Sequence, residues 1–268
     1  MKRTFLLCIL FTIVICGCKD IKKTILRLKE PQGKEFSVKH MRFEGSSKYQ
    51  NAEARLTLDM DYPEGESMAA FILRSRLYEM LMGESITEDI KDGQVFFDRL
   101  LAKYKKENSP ENIRDMLEEG IGTEWAENIR FKKEWENEHI VSFTLSVDAF
   151  NVGNATSSAW IKDITMRKDS GWILGWEMFK SQKKVKAAID EMLITKYGRE
   201  GADLYDNGIP MPEDPLFLAN GVRFDYGDYS IVTPHVYEET GEYPCCLLTY
   251  DMYKDLLTDE ACSLLGLE

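Results

Sequence analysis

The chain has 268 residues, 44% of them hydrophobic and 11% aromatic, and sets 46 Asp and Glu against 34 Lys and Arg for a formal net charge of −12. So much apolar side chain excludes a disordered polyelectrolyte. The acidic balance argues against nucleic acid, whose phosphates need clustered Lys and Arg, and is compatible with solubility or a basic protein partner.

Lys2 and Arg3 precede an apolar run from Phe5 to Ile15, the pattern of a secretory signal. The run is shorter than the ~20 apolar residues of a spanning helix, so residues 1–17 are expected to leave as a signal peptide. Ile15, Cys16, Gly17 and Cys18 resemble a bacterial lipobox, which implies a diacylglycerol on the Cys18 sulfur. Anchoring then comes from several acyl chains, each buried methylene contributing about 0.8 kcal/mol. Lys19 and Asp20 after it resemble the surface-export signals of some diderm bacteria. The expected address is the bacterial cell envelope, lipid-anchored, with the outer membrane favoured and periplasmic or surface orientation open. Residues 18–35 read as the lipidated N-terminus and a charged tether.

The body reads as α+β, antiparallel sheets with packed helices, in two parts: an N-terminal region over residues 36–135 and a C-terminal domain over 136–268. The stretches FSVKHMRF and AEARLTLDMDY alternate as strands, with Leu56, Leu58 and Met60 on one side and Thr57, Asp59 and Asp61 on the other. Tyr62-Pro63-Glu64-Gly65 reads as the turn that ends them. MAAFILRSRLYEMLMG is a helix stopped at Gly83, with Arg74, Arg76 and Glu79 on its wetter side. Helical spacing returns in VFFDRLLAKYKKE and, after Pro110 as a first-turn residue, in ENIRDMLEE.

HIVSFTLSVDAF alternates more cleanly than any other stretch, Val141, Phe143, Leu145 and Val147 against Ser142, Thr144 and Ser146, and predicts a strand with one buried face. NVGNAT then reads as a connecting turn, with SSAWIKDITMRKD as the antiparallel successor. WILGWEMF is a short strand or turn leading to the helix KKVKAAIDEMLITKYG, which Gly198 stops. The prolines of NGIPMPEDP mark a linker. GVRFDYGDYSIVTP predicts two strand segments joined at Gly227-Asp228, CCLLTY another strand, and YDMYKDLLTDEACSLLG a closing helix.

With Cys8 and Cys16 in the signal and Cys18 lipidated, Cys245, Cys246 and Cys262 remain. Neighbouring strand cysteines point apart, so the expected disulfide joins Cys262 to Cys245 or Cys246. No Cys-x-x-Cys pair occurs and the histidines are isolated, so neither a metal nor a cofactor is expected. Of His40, His139 and His235, His235 is the best candidate for proton transfer, lying in a loop near Tyr229 and Tyr237. Ser142, Ser157 and Ser158 lack a Gly-x-Ser-x-Gly elbow. Asp225, Asp228 and Glu238 could line an acidic edge around the tyrosines. Tyr229, His235, Tyr237 and Asp228 are therefore the candidate ligand-binding residues, with Tyr226 and Tyr243 as further contact area.

The stretches FLANGVRFDYGDYSIVTPHVYEETG and VSFTLSVDAFNVGNATSSAWIKDITMRKDSGWILGWEMF resemble those of bacterial secreted and lipid-anchored proteins with the domain of unknown function 3298, often preceded by the domain of unknown function 4163. The matching positions include Tyr229, Ile231, Pro234, Gly241 and Gly171. Many members carry Gly-Gly-Ala-His at the turn, where this chain has Gly153, Asn154, Ala155 and Thr156. The relatives include the extracellular region of a lysozyme-sensing anti-sigma factor and an accessory portion of a peptidoglycan deacetylase. The resemblance thus implies an envelope protein binding a basic envelope protein, such as a lysozyme-like enzyme, or peptidoglycan. The leading expectation is a non-catalytic lipoprotein. The alternatives are a cell-wall or carbohydrate hydrolase with paired carboxylates some 5 to 9 Å apart and a structural component of an outer-membrane assembly.

Overall fold

A computed structural model describes residues 36–119, 123–152, 157–197, 209–227 and 244–267. Six strands form one large sheet in sequence order: β1 (Ser37–Tyr49), β2 (Ala52–Glu64), β3 (Glu124–Glu136), β4 (Ile140–Val152), β5 (Ser157–Arg167) and β6 (Ile173–Leu174). Every neighbour is antiparallel except β2 and β3, which run parallel. A parallel pair needs a crossover, and three helices supply it: α1 (Met68–Met82), α2 (Gly93–Glu107) and α3 (Pro110–Glu118). The β1–β2 hairpin closes on Gln50 and Asn51, with Gln50 at φ 53, the left-handed geometry a two-residue hairpin turn demands. Pro63 belongs to the end of β2, opposite Val38.

Each crossover helix starts on a side-chain cap. The Ser67 Oγ accepts from the Ala70 N–H, Asp92 from Gln94 and Ser109 from Asn112. Gly83 ends α1 at φ 73. The helices cover one face of the sheet, where Leu58 and Met60 of β2, Phe131 of β3 and Phe143 of β4 meet Leu73 of α1 and Phe96 of α2.

A second layer lies on the other side of the chain's last large strands. It contains a three-stranded sheet of β7 (Leu216–Phe217), β8 (Gly221–Asp225) and β9 (Cys245–Thr249). Val222, Phe224 and Tyr226 face a second core with α4 (Gln182–Tyr197), the 3-10 turn Trp176–Met178, and the C-terminal helices α5 (Tyr250–Tyr253) and α6 (Asp259–Leu265).

Five features depart from the sequence pattern. Arg74 is not on a wet side of α1, because its side chain is fully buried beneath the loop that follows the helix. β3 has no counterpart among the predicted strands; Trp125, Ile129 and Phe131 alternate inward, but the charges around them mask the period. Ser142, Thr144 and Ser146 are buried, so β4 is covered on both faces. The closing helix is two helices with a 3-10 turn between them. Leu257 leaves helical geometry to bridge Phe179, and Thr258 restarts α6 by capping Ala261. Finally, the large sheet is continuous across residues 135 and 136, and the first core draws on residues as far along as Ile164 and Met166.

Candidate functional site

The strongest concentration of unusual chemistry lies between the two sheets. In β4, alternate residues point away from the helices, which directs Ser142, Thr144 and Ser146 to the back of the large sheet. Antiparallel register sets Thr144 opposite Asp163 and Ser142 opposite Thr165 on β5. On β8, Val222 and Phe224 turn to the second core, so Arg223 and Asp225 turn to the large sheet. Strand alternation, the β4–β5 register and the docking of the small sheet therefore bring an arginine, two aspartates and three hydroxyls into one dry seam.

The contacts are closed. Thr144 Oγ1 donates to Asp163 Oδ1 at 2.8 Å and accepts from Arg223 Nη2 at 3.1 Å. Arg223 Nε donates to Asp225 Oδ2 at 2.8 Å, and its Nη1 lies 3.9 Å from Glu134 of β3. The Ser142 hydroxyl donates to the Phe217 carbonyl at 2.5 Å, while the Phe217 N–H donates to Thr165 Oγ1 at 3.1 Å. These bonds satisfy buried polar groups that would otherwise each cost about 1–3 kcal/mol.

Asp163 is 6% exposed and the Asp225 side chain 4%. Burial pushes the Asp163 carboxyl well above the usual range, and the neighbouring Asp225 carboxylate pushes it further. Burial also raises Asp225, against the opposing pull of the Arg223 guanidinium and a hydrogen bond from Asp163. The Arg223 guanidinium is thus spent on Asp225, while the geometry gives Asp163 only the neutral Thr144 hydroxyl as donor.

A second polar group sits on the open back of β1–β3. His40 Nδ1 lies 3.1 Å from Asp61 Oδ1 and its Nε2 3.6 Å from Asp59, while Lys132 Nζ is 2.6 Å from Asp59. Its imidazole is 59% exposed. Lys132 already occupies the Asp59 carboxylate, and exposed pairs of this kind contribute about 0–1 kcal/mol. No group of three His, Cys, Asp or Glu side chains placed to hold a metal occurs among the described residues. A surface depression beside α5 is lined by Tyr250, Met252 and Lys254, and neither seam aspartate reaches it.

The sequence-predicted residues fare unevenly. Asp228, Tyr229, His235, Tyr237, Glu238, Tyr243, Cys18 and the turn at Gly153–Thr156 lie outside the described residues. Tyr226 is core instead of contact surface, donating its hydroxyl to the Pro210 carbonyl at 3.2 Å. His139 sits exposed in the β3–β4 turn, its backbone N–H bonded to Asn137. Cys246 and Cys262 are thiols; the Cys246 sulfur lies 3.7 Å from the Met192 sulfur inside the second core. Asp163, Thr144 and Arg223 were not singled out by sequence. The available signal was an aspartate at an alternating position of a predicted strand, which only the pairing register converts into a neighbour of Thr144.

The fold is one already solved for proteins of the DUF3298 family. A member of that family from Bacteroides fragilis superposes with a TM-score of 0.68 at 14% identity, covering 89% of this chain and 98% of its own. A DUF3298 family protein from Pseudomonas aeruginosa superposes with a TM-score of 0.56, also at 14% identity, covering 85% and 96%. At this identity the likeness concerns the fold. No family model and no curated protein matches the sequence.

Proposed function

We propose that the chain is a non-catalytic lipoprotein of the bacterial envelope, held to the outer membrane through Cys18, whose body binds a basic envelope protein or peptidoglycan. The observation that carries the non-catalytic part is the closed seam. Its two perturbed carboxyls are shut away from solvent, Asp163 at 6% and the Asp225 side chain at 4% exposed, whereas a glycosidase presents its pair to the substrate, roughly 5 to 9 Å apart around the scissile bond. They are also bonded on their remaining sides to Thr144 and Arg223. The lipobox-like Ile15–Cys18 supports the envelope address, and the likeness in fold to DUF3298 proteins agrees with the sequence resemblance from which the binding role and a preceding DUF4163-like region are taken. The contact surface in this reading is the tyrosine-rich segment after β8, with Asp228, Tyr229, His235 and Tyr237 as contact residues.

Two measurements on the full chain test this. Palmitate labelling is expected to mark the wild-type chain and to vanish in Cys18→Ser. The unlipidated Cys18→Ser chain is then sedimented with purified peptidoglycan and, separately, titrated with lysozyme. Saturable binding to one of them, weakened at least about tenfold by Tyr229→Ala with Tyr237→Ala (a loss of about 1.4 kcal/mol), supports the proposal. No binding to either, or release of soluble fragments from peptidoglycan, overturns it.

A further inference from the structure

The seam is the only place described where two buried carboxyls face one another, and it is also where the two layers meet. β8 is bonded to β4 and β5 through side chains, not through a strand ladder: Arg223, which holds Asp225, donates to Thr144, and Thr144 donates to Asp163. β7 adds the Ser142 and Thr165 bonds to the Phe217 backbone. Apolar packing of the small sheet lies on its opposite face, toward α4, in a core that also takes in Ile140 of β4 and Leu174 of β6. Where the faces of the two sheets meet directly, the contact runs through these few polar groups.

We propose that Asp163 and Asp225 form a proton-dependent latch: with one proton between the carboxyls the small sheet is docked on β4 and β5, and loss of that proton loosens it. The charge count makes the state of this proton decisive. Arg223 is the cation facing the pair from β8, and it balances one carboxylate. Glu134, on β3, faces the same guanidinium and adds negative charge. Cys245, opposite Asp225 on β9, is the titratable group on the remaining strand. Thr144 and Thr165 are neutral. Lys162 does not help, because it points from the other side of β5 and is taken by Asp214 and Glu213, both at 2.6 Å.

With the proton present, Asp163 donates to Asp225 and accepts from Thr144. Without it, two buried carboxylates share the seam with one guanidinium, in a site too dry to screen the repulsion. Asp163 carries its folded-state proton to higher pH than in the unfolded chain. The stability linked to it is fully present below the unfolded value of about 3.9 and is lost as pH rises through the folded value. Because one proton is involved, the opening equilibrium can shift by at most about tenfold per pH unit.

The test is amide hydrogen exchange on the full chain between about pH 5 and about pH 9, corrected for intrinsic exchange, a range that starts above the unfolded value. Protection of Val222, Arg223 and Phe224 is expected to fall with rising pH, by up to about tenfold per unit, while Leu58 and Met60 of β2 keep theirs. In Asp163→Asn the amide replaces the shared proton, and the β8 dependence is expected to vanish. A second measurement reads the proton itself: infrared spectroscopy should show a protonated carboxyl persisting above the range where ordinary aspartates ionise, still present in Glu127→Gln, which removes the other carboxyl that burial raises. Overturning results are a β8 protection independent of pH, a fall shared equally by β2, an unchanged slope in Asp163→Asn, or no protonated carboxyl in the infrared spectrum.

Discussion

Arg74 gives the sharpest test of how the crossover is held. Its Nε and Nη2 grip Asp89 side-on at 2.7 and 2.8 Å, and Nη1 donates to the Pro63 and Gly65 carbonyls at 3.0 and 3.1 Å. One buried guanidinium thus ties the end of β2, helix α1 and the loop before α2 into a single unit. In Arg74→Met the stem volume is kept but all four bonds go, leaving the Asp89 carboxylate and two carbonyls without their donor. Breaking a buried pair by removing one partner costs about 3–5 kcal/mol. For a chain of this size that corresponds to a fall of roughly 10 °C in melting temperature. The assay is urea unfolding followed by tryptophan fluorescence, with Asp89→Asn and the double variant completing a cycle. The double variant should lose well less than the sum of the singles, because much of the cost of Arg74→Met is the stranded carboxylate. A loss under about 1 kcal/mol, as for a surface pair, or strict additivity, would refute the reasoning.

Other outcomes follow from the same geometry. Arg223→Met strands the Asp225 carboxylate in the seam and should destabilise by about 3 kcal/mol at neutral pH; acid, by protonating the pair, should shrink the loss, as melting at two pH values would show. Gly171 joins β5 to β6 at φ 71, and a Cβ there would meet Ile72 Cδ1 at 2.6 Å and Ala69 Cα at 3.2 Å. Gly171→Ala should therefore cost about 1–3 kcal/mol in the same unfolding assay. Burial and the nearby Glu107 raise the Glu127 carboxyl. Its stability contribution is complete below the unfolded value of about 4.3 and is lost as pH rises through the folded value, so Glu127→Gln should stabilise at neutral pH and gain nothing in acid. Burial pushes the Cys246 thiol up to about 12, so mass spectrometry after alkylation should find Cys246 modified only once the chain is unfolded.

What the sequence revealed depended on where water lies. β4 was legible because apolar Val141, Phe143, Leu145 and Val147 alternate with polar residues, and alternation is the mark of a face against a core. The same pattern concealed the second layer, since Ser142, Thr144 and Ser146 look like a wet face and are dry. Polarity in a sequence reports that a residue needs hydrogen bonds, not that water makes them. Arg74 is the same case on a helix: its donors are satisfied by Asp89 and two carbonyls, so a charged residue marks a buried joint. β3 was obscured for the converse reason, its inward Ile129 and Phe131 separated by charged residues along a strand whose parallel partner is reached only through three helices. The α+β class survives all this because caps and periods are local. The seam did not, because Thr144, Asp163 and Arg223 meet through a hairpin register and the docking of a second sheet. A seam built from polar side chains adds little net energy compared with apolar packing, but it tolerates few alternative registers, since any slip would strand a buried charge. That makes it suited to fixing one docking geometry and to releasing it when a single proton leaves.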